Sequence, residues 1–381
     1  MKKRVILGIV ILFFGTICIP SYGMTIEKQI PSCQFLSNII YVGGNGPNNY
    51  TTIQGAINHA QDGDTVFVFS ASSPYFEHVI VNKTIHLLGE NRTTTIIDGE
   101  GSGDVMLLTV DNITVQGFTL QHGGDTPKVN AGIESRSHWN VIQNNIVFQN
   151  GRYGVGVLLN NSVGTLVCDN RIAENGNEGI FLGNSTNASI HDNVITGNGH
   201  CAIVISKSRG NVITRNTMYG NYAGVSFWAG AMENTVAWNQ IHNQEYSGIG
   251  MWPGSGNNSI HDNIFSNNAL YGFLLTKTSG NVIRNNTIQG SNEGMHLNMA
   301  NLTLISHNNF LGNNISAYFE NSSFNRWRQN YWDDHKGLWP KCIHGQMRIP
   351  WNKTRVIGWI NFDWLPARKP YDIIFLNEVE Q

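Results

Sequence analysis

Residues 211–228 read NVITRNTMYGNYAGVSFW, and Asn216 within them belongs to a series. Asn145, Asn170, Asn193, Asn216, Asn239, Asn263, Asn286, Asn308 and Asn330 follow one another at steps of 22 to 25 residues. Three residues before each stands an apolar side chain, from Ile142 and Val167 through Ile213 to Trp327. Two residues after each stands another, from Val147 and Ile172 through Met218 to Trp332. A fixed period in the twenties marks a solenoid, in which each repeat is one supersecondary unit stacked on the last. Short apolar runs broken by polar turn residues make those units strands, not helices.

A second series follows the asparagines by about nine residues: Gly154, Gly179, Ala202, Gly224, Gly248, Gly272, Gly294 and Ala317. Each opens a strand of mostly large apolar residues, as in Gly179-Ile180-Phe181-Leu182. Strand, asparagine turn, strand and Gly-opened strand make one coil, and coils in register place identical positions about 4.8 Å apart. The asparagine is expected to point inward at a corner and to adopt the left-handed turn conformation itself. Its amide then bonds to the coils on either side, which makes it a structural residue and not a catalytic one.

These repeats resemble the right-handed parallel β-helix repeats of the pectin-lyase-like superfamily, and within it the NosD-type repeat family. Residues 51–68, TTIQGAINHAQDGDTVFV, resemble that family's capping helix and first strand. Residues 95–104, TIIDGEGSGD, resemble an early coil, and residues 330–334, NYWDD, the segment that closes the last one. The resemblance implies an all-β, right-handed, single-stranded parallel β-helix of the secreted archaeal or bacterial type. It implies little about activity, because this fold carries many unrelated functions.

The ends are read separately. Lys2, Lys3 and Arg4 precede an apolar run over residues 5–19, and Ser21 and Gly23 stand before Met24. This predicts a signal peptide over 1–23, with secretion or cell-surface display. No second apolar run of spanning length follows, so no transmembrane segment is expected after its removal. Residues 24–60 are read as an N-terminal segment and cap, with a short amphipathic helix over the open mouth. Residues 61–335 are read as the repeats, and 336–381, rich in aromatics, as a C-terminal cap. A solenoid needs both caps, because its end coils otherwise expose apolar faces and strand edges. Charged residues make up only 13% of the chain and the net charge is −2, so no basic stripe is present and nucleic-acid binding is disfavoured. Cys33, Cys168, Cys201 and Cys342 fall on different walls or opposite ends, so mostly free thiols are expected.

Function on a β-helix sits on outward positions that stack. The fourth residue after each strand-opening Gly or Ala gives Ser206, Trp228, Trp252 and Thr276, which puts Trp228 and Trp252 on adjacent coils. Two residues before the opening stand His200, Tyr222 and Tyr246, also on successive coils. Between these rows the outward residue is small, Ser226 and Gly250, and Glu178, Lys207, Glu245, Lys277 and His296 are nearby. Together they predict a shallow trough with aromatic walls, which suits the apolar C–H faces and the hydroxyls of sugars. The bland alternative is that the aromatics only cover neighbouring side chains.

Carbohydrate-active β-helices use clustered carboxylates. The polygalacturonase-like set is missing apart from Gly199-His200-Cys201, which faintly echoes one element, and an Asp-Pro-His is absent. Asp98 and Asp104 are read as remote, and Asp192 and Asp262 as three coils apart, so no catalytic residue is assigned. The NosD resemblance also brings copper delivery, but Met295, His296 and Met299 do not converge by this count, and His191 and His261 stand alone. No metal site and no cofactor are assigned. The expectation is an exported protein that binds a carbohydrate polymer without turning it over, through Trp228, Trp252, Tyr222, Tyr246, His200, Lys207 and Glu245. The alternatives are a polysaccharide lyase, hydrolase or epimerase with a diverged site, and a structural adhesion element.

Overall fold

A computed structural model describes residues 37–349 and 352–373, and they form a right-handed parallel β-helix. The signal-peptide segment 1–23, Cys33 and residues 374–381 lie outside the described residues. Each coil carries three strands, as in Cys201–Ser206, Val212–Thr214 and Thr217–Tyr219. These are the leading, middle and trailing walls. On the middle wall Ile190, Ile213, Val236, Ile260 and Ile283 stand in one register. On the trailing wall Ile172, Ile195, Met218, Ile241 and Phe265 do the same. All ten are fully buried, and burying a side chain of this size contributes about 1.5–3 kcal/mol.

The asparagines join the middle and trailing walls as a hydrogen-bonded ladder. Asn216 Oδ1 accepts from the backbone N–H and the Nδ2 of Asn193, at 3.0 and 2.9 Å. Its own Nδ2 donates to the carbonyls of Ile190 and Thr214. The left-handed turn, however, lies one residue earlier than the sequence predicts. Asp192, Arg215, Trp238, Asp262 and His307 have φ between 54° and 57°, and no ladder asparagine has a positive φ. An asparagine that must enter the lumen and reach two coils leaves the chain reversal to its neighbour. Left-handed backbone at a non-glycine residue costs roughly 1–2 kcal/mol, so the ladder's bonds also offset that strain.

Two parallel ladders occupy the other corners. Asn150, Asn175, Asn198, Asn221 and Gln244 follow the trailing wall. Asn211, Asn234, Asn258 and Asn281 follow the leading wall.

At the N-terminal end the strand Ile39–Val42 pairs in parallel with Thr65–Val68, so the helix of strands begins ahead of its cap. The capping α-helix spans Ile53–His59 and buries Ile53, Ala56 and Ile57. Thr52 Oγ1 accepts from Gly55 N–H, and the Glu77 carboxylate accepts from the N–H groups of Ile53 and Gln54. Those bonds satisfy the orphan donors of the first turn. At the other end Lys341–Ile349 and Asn352–Asp363 form an antiparallel hairpin. It extends the leading wall beyond Ile315–Glu320 and the middle wall beyond Arg326–Arg328. Cys168, Cys201 and Cys342 are free thiols. No helix among the described residues is long and apolar enough to cross a membrane.

Candidate functional site

On the leading wall two consecutive residues point inward, and the first must be small. A Cβ on Gly224 would lie 2.5 Å from Ile241 Cγ2. Val157 pairs with Ile180 and Met295 with Ala317, so the small position belongs to Gly156 and Ser316, not to Gly154 and Ala317. Corners of unequal length shift the count at both ends of the series. Two residues on, the outward floor runs Leu158, Phe181, Val204, Ser226, Gly250, Leu274, His296 and Tyr318. It dips at Ser226 and Gly250, between Val204 and Leu274.

A continuous aromatic row begins beside this floor and crosses onto it at His296 and Tyr318. His200 stacks on Tyr222 at 5.6 Å and Tyr222 on Tyr246 at 5.1 Å, with ring planes within 10° and 5° of parallel. Tyr271 then turns edge-on to Tyr246 at 5.5 Å, and His296 and Tyr318 continue the row at 5.5 and 5.6 Å. Six successive coils therefore contribute one ring each. The parallel rings cover one another's faces and turn their edges outward, so the first half of the row offers hydroxyl and imidazole edges. Tyr271 breaks the stack and turns its plane across it.

The two tryptophans are placed differently from one another. Trp228 pairs with Ser206 in register and meets His200 edge-on at 5.6 Å. Trp252 follows the end of its strand at Met251, donates its N–H to Phe227, and lays its Nε1 beside Gly250. Lys207 and Glu245 are exposed at corners flanking the row.

At the head of the row lies a second apolar cluster, on the outside of the wall: Leu158, Phe181, Cys201, Val204 and neighbours, with Trp228 packed against it. Lys128 reaches this cluster, with its Nζ 5.2 Å from the Phe181 ring and 4.7 Å from the Trp228 ring. Nearby, Glu178 is almost fully buried, with Oε1 3.5 Å from His200 Nδ1. That ion contact is too long for a good hydrogen bond. Glu178 Oε2, His200 Nδ1 and Trp228 Nε1 are consequently buried without a hydrogen-bond partner. The Cys201 thiol, and then the Glu178 carboxylate, push the His200 imidazole up to about 10. Buried polar atoms without partners are uncommon in native proteins; here three converge beside an aromatic row.

Further toward the N-terminus the structure unites residues that the sequence left apart. Asp104, read as remote, faces Glu134 on the next coil, and burial, with Glu134 adding to it, pushes its carboxyl up to about 7. Glu134 is held by Arg136 Nε and Nη2 at 2.8 and 2.6 Å and by Asn160. His191 and His261 each pair with the aspartate that follows, at 2.6 Å. Met295 is buried in the lumen.

The family model for NosD, described as periplasmic copper-binding protein, matches residues 57–249 and 232–337. No curated protein matches the sequence. Among solved structures the chain is similar to the A-module of the mannuronan C-5 epimerase AlgE6 of Azotobacter vinelandii, at 16% identity and TM-score 0.60, over 73% of this chain and 87% of that one. It is similar to the pectate lyase Pel9A at 16% identity and TM-score 0.53, over 67% and 76%. It is similar to the Dettilon tailspike protein at 15% and 0.52, over 74% and 68%. Identities this low carry the fold and nothing further.

Proposed function

The chain belongs to the NosD family, and from that premise we propose that it is an exported β-helix protein that holds an extended carbohydrate polymer along its leading wall. The observation that carries this reading is the unbroken row from His200 to Tyr318, one ring per coil. A sugar chain running along the helix axis meets a repeat of hydroxyl edges at Tyr222 and Tyr246, and ring surface at Tyr271 and Trp252, with Trp228 and Lys128 at the head of the row. Stacking on aromatic rings supplies apolar contact, while tyrosine and indole polar tips supply hydrogen bonds. The dip at Ser226 and Gly250 gives the chain room between the rows. The predicted signal peptide and the family's periplasmic description support export.

A glycan-array screen tests the reading, with Tyr246→Ala/Tyr271→Ala and Trp228→Ala/Trp252→Ala beside the parent protein. Binding that the parent shows and both folded double mutants lose places the polymer on this wall. Binding that survives both removes the wall from the reading, and no binding by the parent sinks it for the sugars tested.

The family description also implies copper. Copper sites draw on convergent His, Met or Cys ligands. Among the described residues no group of three or more His, Cys, Asp or Glu side chains is arranged to hold a metal. Cys201 Sγ donates to Ser226 Oγ at 3.2 Å, and His200 Nδ1 faces Glu178. Met232 and Met299 line one groove, but Met232 lies three coils from the coil of Met299, about 14 Å by strand spacing. These residues do not fit a copper centre, and no step of the proposed function passes through one.

A further inference from the structure

Four coils before His200, at the N-terminal end of the same wall, a different constellation lines a cleft. Ser102 Oγ lies 3.1 Å from His78 Nε2, and His78 Nδ1 lies 2.8 Å from the backbone carbonyl of Asp104. The carbonyl can only accept, so Nδ1 carries the ring proton and Nε2 of the neutral imidazole is the acceptor. Ser102 therefore donates its hydroxyl proton toward a base whose tautomer and orientation the Asp104 carbonyl fixes. Glu100, Gly101 and Gly103 around it have φ of 50°, 76° and 51°, and this tight turn leaves the Ser102 side chain exposed. The backbone N–H groups of Gly103 and Asp104 make no internal hydrogen bond among the described residues. The amide after the nucleophile is a place where acyl-transfer sites put an oxyanion donor. Ile80 and Leu107 give the cleft apolar walls.

We propose that Ser102 and His78 form the nucleophile and general base of an esterase site that removes small acyl groups from hydroxyl-bearing substrates. Ser102 Oγ attacks the ester carbonyl carbon while its proton passes to His78 Nε2. The Gly103 and Asp104 amides hold the oxyanion. The C–O bond to the alcohol breaks, and the departing oxygen takes the proton from Nε2, leaving acyl-Ser102. Water then attacks the acyl carbon, gives its proton to Nε2, and Ser102 leaves with that proton as the carboxylic acid departs. Asp104 acts through its carbonyl as a positioning residue. This site stands independently of the glycan reading, since it removes a substituent and asks nothing of the aromatic row.

The experiment is labelling of the full chain with a fluorophosphonate probe, mapped by peptide mass spectrometry, together with hydrolysis of p-nitrophenyl acetate. The expected result is one adduct, on Ser102, and kcat/KM that falls about a hundredfold or more in Ser102→Ala and in His78→Asn. Far-UV circular dichroism and the melting midpoint of both variants are compared with the parent, because the turn is on the surface and each variant should fold. An unlabelled Ser102 under conditions that label a serine esterase overturns the proposal. So does an adduct rate at Ser102 that is the same in His78→Asn.

Discussion

Asn330 gives both its backbone N–H and its side-chain amide to one oxygen of Asp363, at 2.8 and 3.0 Å. The same oxygen accepts from Trp332 Nε1, and the other from Gln329 N–H. Every earlier member of the ladder both gives and takes. Asp363, at the point where the stack stops, has only to take, and a carboxylate is the side chain that only accepts.

Replacing this terminator should therefore cost more than an ordinary surface change. Asp363→Ala leaves four donors without a partner inside a fully buried corner and should lower stability by at least about 3 kcal/mol. Asp363→Asn keeps one accepting oxygen but turns an NH2 toward a donor, and should fall between. Urea unfolding midpoints decide this, and an alanine variant as stable as the parent would show that the ladder needs no terminator.

Ala229 carries a φ of 48° at an exposed corner. Glycine takes that backbone without the Cβ clash, so Ala229→Gly should raise stability by about 0.5–1 kcal/mol, despite the extra freedom it gives the unfolded chain. The sign is the test. In ordinary backbone the same change destabilises, and a lower melting temperature here would contradict the strain argument.

The Cys201 thiol, and after it the Glu178 carboxylate, beside His200 should make stability depend on pH in a defined direction. The folded imidazole is raised from 6.5 to about 10. Its contribution is complete below the ordinary value and is lost as pH rises through the folded one. Glu178→Gln should remove the carboxylate's share of that alkaline loss and make the slope shallower, read as the melting temperature across the interval. Equal slopes in both proteins would remove the pair from the account.

Asp104 makes the same kind of contribution in a lower window. Its carboxyl is raised from 3.8 to about 7, first by burial and then by Glu134. The stability it adds is full below 3.8 and lost as pH rises through about 7. Asp104→Asn cannot titrate and should abolish that component. Parent and variant unfolded in urea across this range should diverge toward neutrality, and parallel curves would count against the buried carboxyl.

The fold was legible because the lumen tolerates few residue types. Ile213 and Met218 flank Asn216 in the sequence as they do in the core. The two other ladders were harder to read: Gln244 interrupts the line of asparagines between Asn221 and Asn268, so residue identity fails where geometry persists. The aromatic row could be followed from His200 to Tyr246. At Tyr271 and His296 it steps across the strand, which breaks the fixed offset. Asp104 and Glu134 were hidden for another reason. A coil takes 27 residues near Asn145 against 23 near Asn216, so the period found in the middle of the chain misplaces its beginning. Glu178 was seen as nearby, but its near-complete burial is not something the repeat spacing announces.

The ladder's direction has a consequence for how long such a molecule is. Along the ladder from Asn145 to Asn330 each coil presents to the next the same givers and takers that it received from the last. Removing or duplicating one 23-residue unit between Asn170 and Asn239 therefore preserves this ladder's pattern at the new junction. Length is free to vary in whole steps of about 4.8 Å, and Asp363 with its hairpin fits any of them. The protein is in this sense a ruler with a detachable end-stop. Its reach along a surface is set by a count of genetic repeats, and the row of rings would lengthen or shorten by one mark each time.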